Sequence, residues 1–124
     1  MKTDCDIAVV GAGPVGLAAT ALLADAGYSV TLLAPPAPPD RRTTALLGSS
    51  IDLLKRLGVW DRVAAEAAPL RIMRIVDGTS RLIRSPEVAF DAREIGLPAF
   101  GYNIPNAVIV AALEAAVAER DVRR

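Results

Sequence analysis

Three glycines spaced Gly11-Ala12-Gly13-Pro14-Val15-Gly16 stand between an apolar run, Cys5 to Val10, and a segment rich in alanine and leucine. The chemistry such a spacing serves is the binding of a nucleotide diphosphate, and each glycine has its own part in it. Gly11 lets the chain turn sharply out of a strand. Gly13 has no side chain to hold a pyrophosphate off the backbone, and Gly16 lets the following helix lie close to the sheet. Pro14 and Val15 open that helix, whose free N–H groups carry about half a positive charge in aggregate and face any anion placed there. The competing reading is a purely structural strand-to-helix turn, which glycines also punctuate.

The flanking elements are what raise the motif above a bare glycine triplet. Cys5 to Val10 reads as a strand buried on both faces, and the helix from about Pro14 is expected to end at Gly27 in the C-cap position. Ser29 to Ala34 reads as a second, parallel strand. In dinucleotide-binding folds an acidic residue about 20 positions on hydrogen-bonds a ribose. Ala34 occupies that position, and no Asp or Glu lies between Ser29 and Pro39. This weakens an assignment to NAD and leaves the ribose contact open, with Asp40 the nearest acid beyond the Pro-Pro-Ala-Pro-Pro run.

Composition narrows the function classes. The chain has 124 residues, balanced charge, no His and one Cys, which fits a soluble globular chain of at most one domain. Without a basic excess, nucleic acid is not an expected partner. Without His, a histidine base or a His-ligated metal is excluded within these residues, and no metal site is expected. Cys5, on the first strand, is expected to act as a small buried hydrophobe. No apolar run approaches the roughly 18 residues of a membrane span, and the amino terminus lacks a signal-peptide pattern, so a cytoplasmic location is the expectation.

Further along, Pro35 to Pro39 reads as a stiff extended spacer. Leu46, Leu47, Ile51, Leu54 and Leu57 at helical spacing predict a helix over Thr44 to Leu57 with Gly58 as its stop, and a second short helix over Trp60 to Ala67, ended by Pro69. Trp60 is expected to anchor this helix pair rather than stack on a ligand. Leu70 to Val76, the Asp77-Gly78 turn and Arg81 to Arg84 carry a β-hairpin signature. Its arginines, 71, 74, 81 and 84, fit solvated side chains on one ribbon face better than an anion site. Glu87 to Phe90 reads as a short strand and Asp91 to Phe100 as a loop broken by Gly96 and Pro98. The final helix, Ala107 to Ala118, is apolar nearly all round and should be buried on more than one side. No strand is expected after it, so the chain reads as truncated.

Several of these pieces occur in a recognisable order: Gly11 to Gly16; Asp40-Arg41-Arg42-Thr43-Thr44-Ala45-Leu46; the Leu57-Gly58-Val59-Trp60 turn; Met73 to Gly78; Glu94 to Leu97; and Phe100 to Ile104. In this the chain resembles, over essentially its whole length, the amino-terminal part of the FAD-dependent hydroxylases of ubiquinone biosynthesis, within the aromatic-ring flavoprotein monooxygenases. The resemblance implies an α/β, Rossmann-like FAD/NAD(P)-binding fold with a parallel sheet and an inserted β-hairpin, incomplete in this chain. Residues 1–124 would form the amino-terminal part of the FAD-binding domain, with the substrate domain and the later flavin-binding Gly-Asp motif absent.

The resemblance also implies site residues. The glycine turn would hold the FAD pyrophosphate, and Arg42, two residues after Asp40, matches the arginine that an Asp-x-Arg motif brings to the flavin side of the cofactor. Its permanently charged fork suits a phosphate or ribityl contact. Arg41 is expected to point to solvent. Asn106 stands where the wider group often places an Arg or Gln on FAD; an N-cap role and a cofactor contact both remain open for it. The adenine-end residue would be Ala34. No catalytic side chain is assigned, because the cofactor carries the hard step. NAD(P)H or another donor would reduce the flavin, and an oxygen atom from O2 would go to an electron-rich aromatic ring. A polyprenylated phenol would be the substrate, implying peripheral association of the full-length protein with the inner membrane, and the fragment alone would be inactive. A flavin oxidase or dehydrogenase, and a non-catalytic nucleotide-binding module, are the alternatives.

Overall fold

The computed structural model describes residues 5–36, 38 and 40–124; of the proline-rich spacer, Ala37 and Pro39 lie outside the described residues. The opening unit is a βαβ crossover. Strand β1 (Ile7–Val10) leads through the glycine turn into helix α1 (Pro14–Asp25), which returns the chain to β2 (Val30–Leu33). The strands pair in parallel, from Ile7 opposite Val30 to Val10 opposite Leu33. Proline is tolerated at the first helical position because its missing N–H would have no partner there. The helix stops where Gly27 takes a φ of 87°, and Tyr28 N–H closes on the Leu23 carbonyl at 3.1 Å.

The first strand is not buried on both faces. Ile7 and Val9 are half-buried toward α1, whereas Ala8 is exposed and Val10 is 80% exposed. Among the described strands β1 pairs with β2 alone, which makes it an edge strand, and no described element covers its outer face. Cys5, expected in the interior, is accordingly half-buried.

The expected helix over Thr44 to Leu57 divides in two. Thr43–Leu47 is strand β3, and helix α2 covers only Gly48–Arg56. β3 pairs antiparallel with β7 (Gly101–Pro105), which also receives β4 (Ala68–Leu70) on its other side. The second short helix is shorter than expected: α3 spans Trp60–Val63, a 3-10 turn follows over Ala64–Glu66, and Pro69 lies within β4. Trp60 packs, but against the sheet as well as its helix pair: it meets Tyr102 of β7 edge to face at 5.0 Å and carries Lys55 of α2 over its ring.

The ribbon also differs. β5 (Ile72–Ile75) pairs not with Arg81 to Arg84 but with β6 (Val88–Asp91), so Asp77-Gly78 belongs to a longer connection rather than a tight turn. Asp77 instead organises that connection by accepting from the Thr79 and Ser85 N–H groups. Arg71, Arg74, Arg81 and Arg84 are exposed, and Arg74 pairs with Glu87 at 3.0 Å, as solvated ribbon residues would. The segment after β6 holds a 3-10 turn over Ala92–Ile95, ended by Gly96 at φ 72°.

Helix α4 (Asn106–Ala118) buries Ile109, Ala112, Leu113, Ala116 and Val117, more than one stripe, against α1, α3 and β7. A strand does follow it: β8 (Val122–Arg123) runs parallel to β2, Val122 opposite Val30. Two residues are too few to register as an apolar run, and the arginines around them disguise the strand. Leu17, Ala21, Leu32, Leu54, Val59, Val63 and Ile104 join α4 in one core. Arg120 ties the ends of α1 and α4 together by a two-pronged contact with Asp25, at 2.7 and 2.8 Å.

Carboxylates in such contacts make stability sensitive to acid. The hydrogen bonds from Arg120 hold Asp25 below its usual range despite partial desolvation. Those from the Arg93 side chain and N–H lower Asp91 from 3.8 to about 2. Folded values depressed in this way contribute stability that is complete above the unfolded pKa and is lost as pH falls through the folded one. These residues carry no histidine, so their own contribution to the stability of the intact protein is expected to stay level from pH 8 to 5. It should fall between about pH 4 and pH 2, which circular dichroism melts across that range would check.

Candidate functional site

A cleft of about 1170 Å³ opens at the carboxyl ends of β1 and β2. Its walls are the glycine turn (Gly11 to Pro14), the end of β2 with the following prolines (Leu32 to Pro36, Pro38), Asp40 and Arg42, one face of α4 (Ala107, Val110, Ala111, Glu114), and Arg124. This volume exceeds the roughly 300–1,000 Å³ typical of a small-ligand pocket and suits something the size of a dinucleotide.

The glycines divide their work as geometry requires. Gly11 sits at φ 110°, a conformation side chains disfavour, and its N–H donates to the Leu33 carbonyl at 2.8 Å, closing the turn over the end of β2. At Gly16 an added Cβ would lie 1.9 Å from the Gly11 carbonyl oxygen. The helix can therefore start against the strand only if this residue has no side chain. Gly13 has ordinary extended angles, φ −77° and ψ 176°, with open space where a Cβ would be. It caps α1 without a side chain of its own, so the first-turn N–H groups, among them those of Val15 and Gly16, are left for an outside acceptor. No acidic side chain occupies that first turn. An anion fits this cradle.

Of the residues singled out in the sequence, Gly11, Gly13, Pro14, Ala34 and Arg42 line the cleft together. Gly16 stands behind the turn as its spacer. Val15 is exposed beside it with its backbone in the helix start, and Asn106 lies just beneath the wall, 8% exposed. Asn106 is not an N-cap: Pro105 holds that position, and the Asn106 side chain faces the Asp40 loop. Its Nδ2 donates to Asp40 Oδ2 at 2.8 Å, and its Oδ1 accepts from the Thr44 hydroxyl. Asp40 in turn accepts from Arg42 Nε and Nη2, both at 2.9 Å, and from the Arg42 N–H at 3.0 Å. The Arg42 fork first, and then the Asn106 amide, hold the Asp40 carboxyl well below the usual carboxylate range.

Sequence reasoning missed this Thr44-Asn106-Asp40-Arg42 chain because it depends on the β3–β7 ladder, which sets Thr44 against Ile104 and brings the start of α4 beside Arg42. It also missed Glu114 and Arg124, which line the cleft as an ion pair 4.0 Å apart. The helical spacing of Ala107, Val110, Ala111 and Glu114 was a usable signal for one shared face. Among the described residues no cluster of potential metal ligands occurs, and no helix is long and apolar enough to cross a membrane.

Comparison with known proteins follows the same lines. The chain is 40% identical over 117 residues to the 3-demethoxyubiquinol 3-hydroxylase of Escherichia coli (strain K12), covering 87% of this chain and 29% of that protein. It is 36% identical over 114 residues to the ubiquinone hydroxylase UbiM of Neisseria meningitidis, covering 86% of this chain and 25% of the relative. The chain thus spans between a quarter and a third of the length of these curated relatives. Among solved structures, AlpK superposes with a TM-score of 0.77 at 27% identity, over 99% of this chain and 24% of that one. The flavin-dependent monooxygenase PieE, solved with FAD and substrate, superposes with a TM-score of 0.65 at 25% identity, over 95% of this chain and 24% of that one. With residues 4–122 matching the family described as the FAD binding domain, the chain belongs to that family, whose cofactor is FAD.

Proposed function

We propose that the intact protein is an FAD-dependent monooxygenase that hydroxylates an aromatic ring, with a polyprenylated phenol of ubiquinone biosynthesis as substrate. In this reading residues 1–124 are the amino-terminal part of its FAD-binding domain, and the substrate domain and the second flavin motif lie outside them. The observation that carries the reading is the cleft, in which a bare-backbone helix start and a permanently charged guanidinium share one rim. Relatives named as ubiquinone-pathway hydroxylases support the substrate class.

Bound FAD would supply the redox chemistry, taking electrons from NAD(P)H and activating O2 for transfer to the ring. The chain's own part is binding and orientation. The N–H groups at the start of α1, which stands at the cleft wall, would meet the diphosphate with little reorganisation. Arg42 would add charge at the flavin side, and Ala34 with the prolines after β2 would form an apolar wall at the adenosine end. No acid–base pair is required of these residues. A prenylated substrate would bring the protein to the membrane surface peripherally.

The test is purification of the intact protein with FAD present. A yellow protein with a bound-flavin spectrum is expected, and NAD(P)H oxidation should rise with a prenylated phenol and yield a hydroxylated ring. A colourless protein would end the reading. Peroxide formation without hydroxylated product would move it to an oxidase.

A further inference from the structure

Arg42 is 82% exposed at its side chain, yet its conformation is fixed from two sides. Its carbonyl accepts from the Asn106 N–H at 2.9 Å, while its guanidinium and N–H all donate to Asp40. The Asn106 amide closes the circuit by donating to Asp40 Oδ2, the oxygen that also accepts from Arg42 Nη2. Asn106 is itself held by the Thr44 hydroxyl and by burial at the first turn of α4.

The guanidinium has five N–H donors, and Asp40 engages only the Nε–Nη2 edge. The edge carrying Nη1 stays available for a second acceptor. A carboxylate beside a cationic ligand-binding residue could compete with an incoming anion. Here it grips one edge and leaves the other unengaged, on a side chain that lines the cleft.

We propose that Asp40, oriented by Asn106, is a positioning residue for FAD: it acts through Arg42 by holding the guanidinium's free edge toward the cofactor. This rests on the assignment of FAD to the cleft. Without Asp40 no other described side chain holds the exposed guanidinium, so binding the cofactor must order a long flexible side chain. The proposal therefore has a definite sign, since a competing carboxylate would improve FAD binding when removed, and a positioning one weakens it.

The experiment is a double-mutant cycle on the intact apoprotein, titrated with FAD and followed by flavin fluorescence. Asp40→Ala and Arg42→Ala are each expected to weaken binding about tenfold, with the double variant no weaker than Arg42→Ala alone. A purely structural role for Asp40 would not produce that dependence on Arg42. Should Asp40→Ala fail to fold by thermal melting, the isosteric Asp40→Asn takes its place under the same criteria. Unchanged or tighter FAD binding on loss of the Asp40 carboxylate, or losses that multiply in the double variant, would overturn the proposal. A wild-type protein that takes up no FAD would instead overturn the assignment of the cleft itself, and this inference with it.

Discussion

Gly16→Ala is expected to lower the stability of the intact protein by about 3 kcal/mol or more, the upper range for forcing an extra group into a packed site. The added methyl would lie 1.9 Å from the Gly11 carbonyl oxygen and 3.0 Å from its carbon. Both are backbone atoms, so no rotamer change relieves the clash. Either α1 must lift off β1 or the turn must open. Lifting α1 exposes Leu17, Thr20 and Ala21, all fully buried. Opening the turn breaks the Gly11 N–H to Leu33 carbonyl bond that joins it to β2. Since a domain is typically stable by only about 5–15 kcal/mol, the variant should unfold at a much lower urea concentration and lose bound flavin as a consequence. Urea titration followed by circular dichroism measures this directly. A midpoint equal to wild type would mean that the helix does not depend on this close approach.

The difference between what the sequence revealed and what it hid follows the reach of the interactions. The βαβ unit was legible because its determinants are local: a glycine turn, a proline at the helix start, a glycine after its end, and two short apolar runs. Even there the exposed face of β1 was not, since its burial depends on what lies across the sheet. Residues 44–47 read as helix in the sequence because Leu46 and Leu47 continue the helical spacing of Ile51, Leu54 and Leu57. The exposure of Thr43 to Leu47 nevertheless alternates along the segment, and pairing with β7, more than fifty residues away, decides for a strand. The ribbon shows the same weakness, for Asp77-Gly78 is a strong local turn signal that cannot reveal that β6 supplies the partner strand. Gly101 carried a readable hint that went unused. It is a glycine inside a strand, and an added Cβ would lie 2.1 Å from the Leu46 carbonyl oxygen.

The candidate site was legible to the same extent. The glycine cradle could be placed from spacing alone, and Arg42 from the resemblance to flavoprotein hydroxylases. The relation between Arg42 and Asn106 could not, because the two are joined by a strand ladder and by a carboxylate whose reach depends on the loop before β3. Polar networks of this kind leave almost no trace in a single sequence: Asp, Asn and Thr are unremarkable residues until the fold brings them together.

Gly13→Ala separates binding from folding, and its expected effect is the counterpart of that at Gly16. The backbone at Gly13 is extended, with angles any residue adopts, and nothing lies within 4 Å of the position a Cβ would take. Alanine is a poorer helix cap than glycine, but it also restricts the unfolded chain, so the two effects offset and stability should change by less than about 1 kcal/mol. The methyl would nevertheless stand on the cleft wall at the point where a diphosphate must approach the α1 amides. Held off by the added group, the cofactor would exchange short charge-assisted contacts for longer ones, and FAD affinity should fall about 100-fold, or about 2.7 kcal/mol. Apoprotein titrated with FAD and an apoprotein melt, taken on the same preparation, measure both quantities. A normal melt with undiminished affinity would show that the diphosphate does not approach Gly13, and a lowered melt would show that the residue serves the fold as Gly16 does.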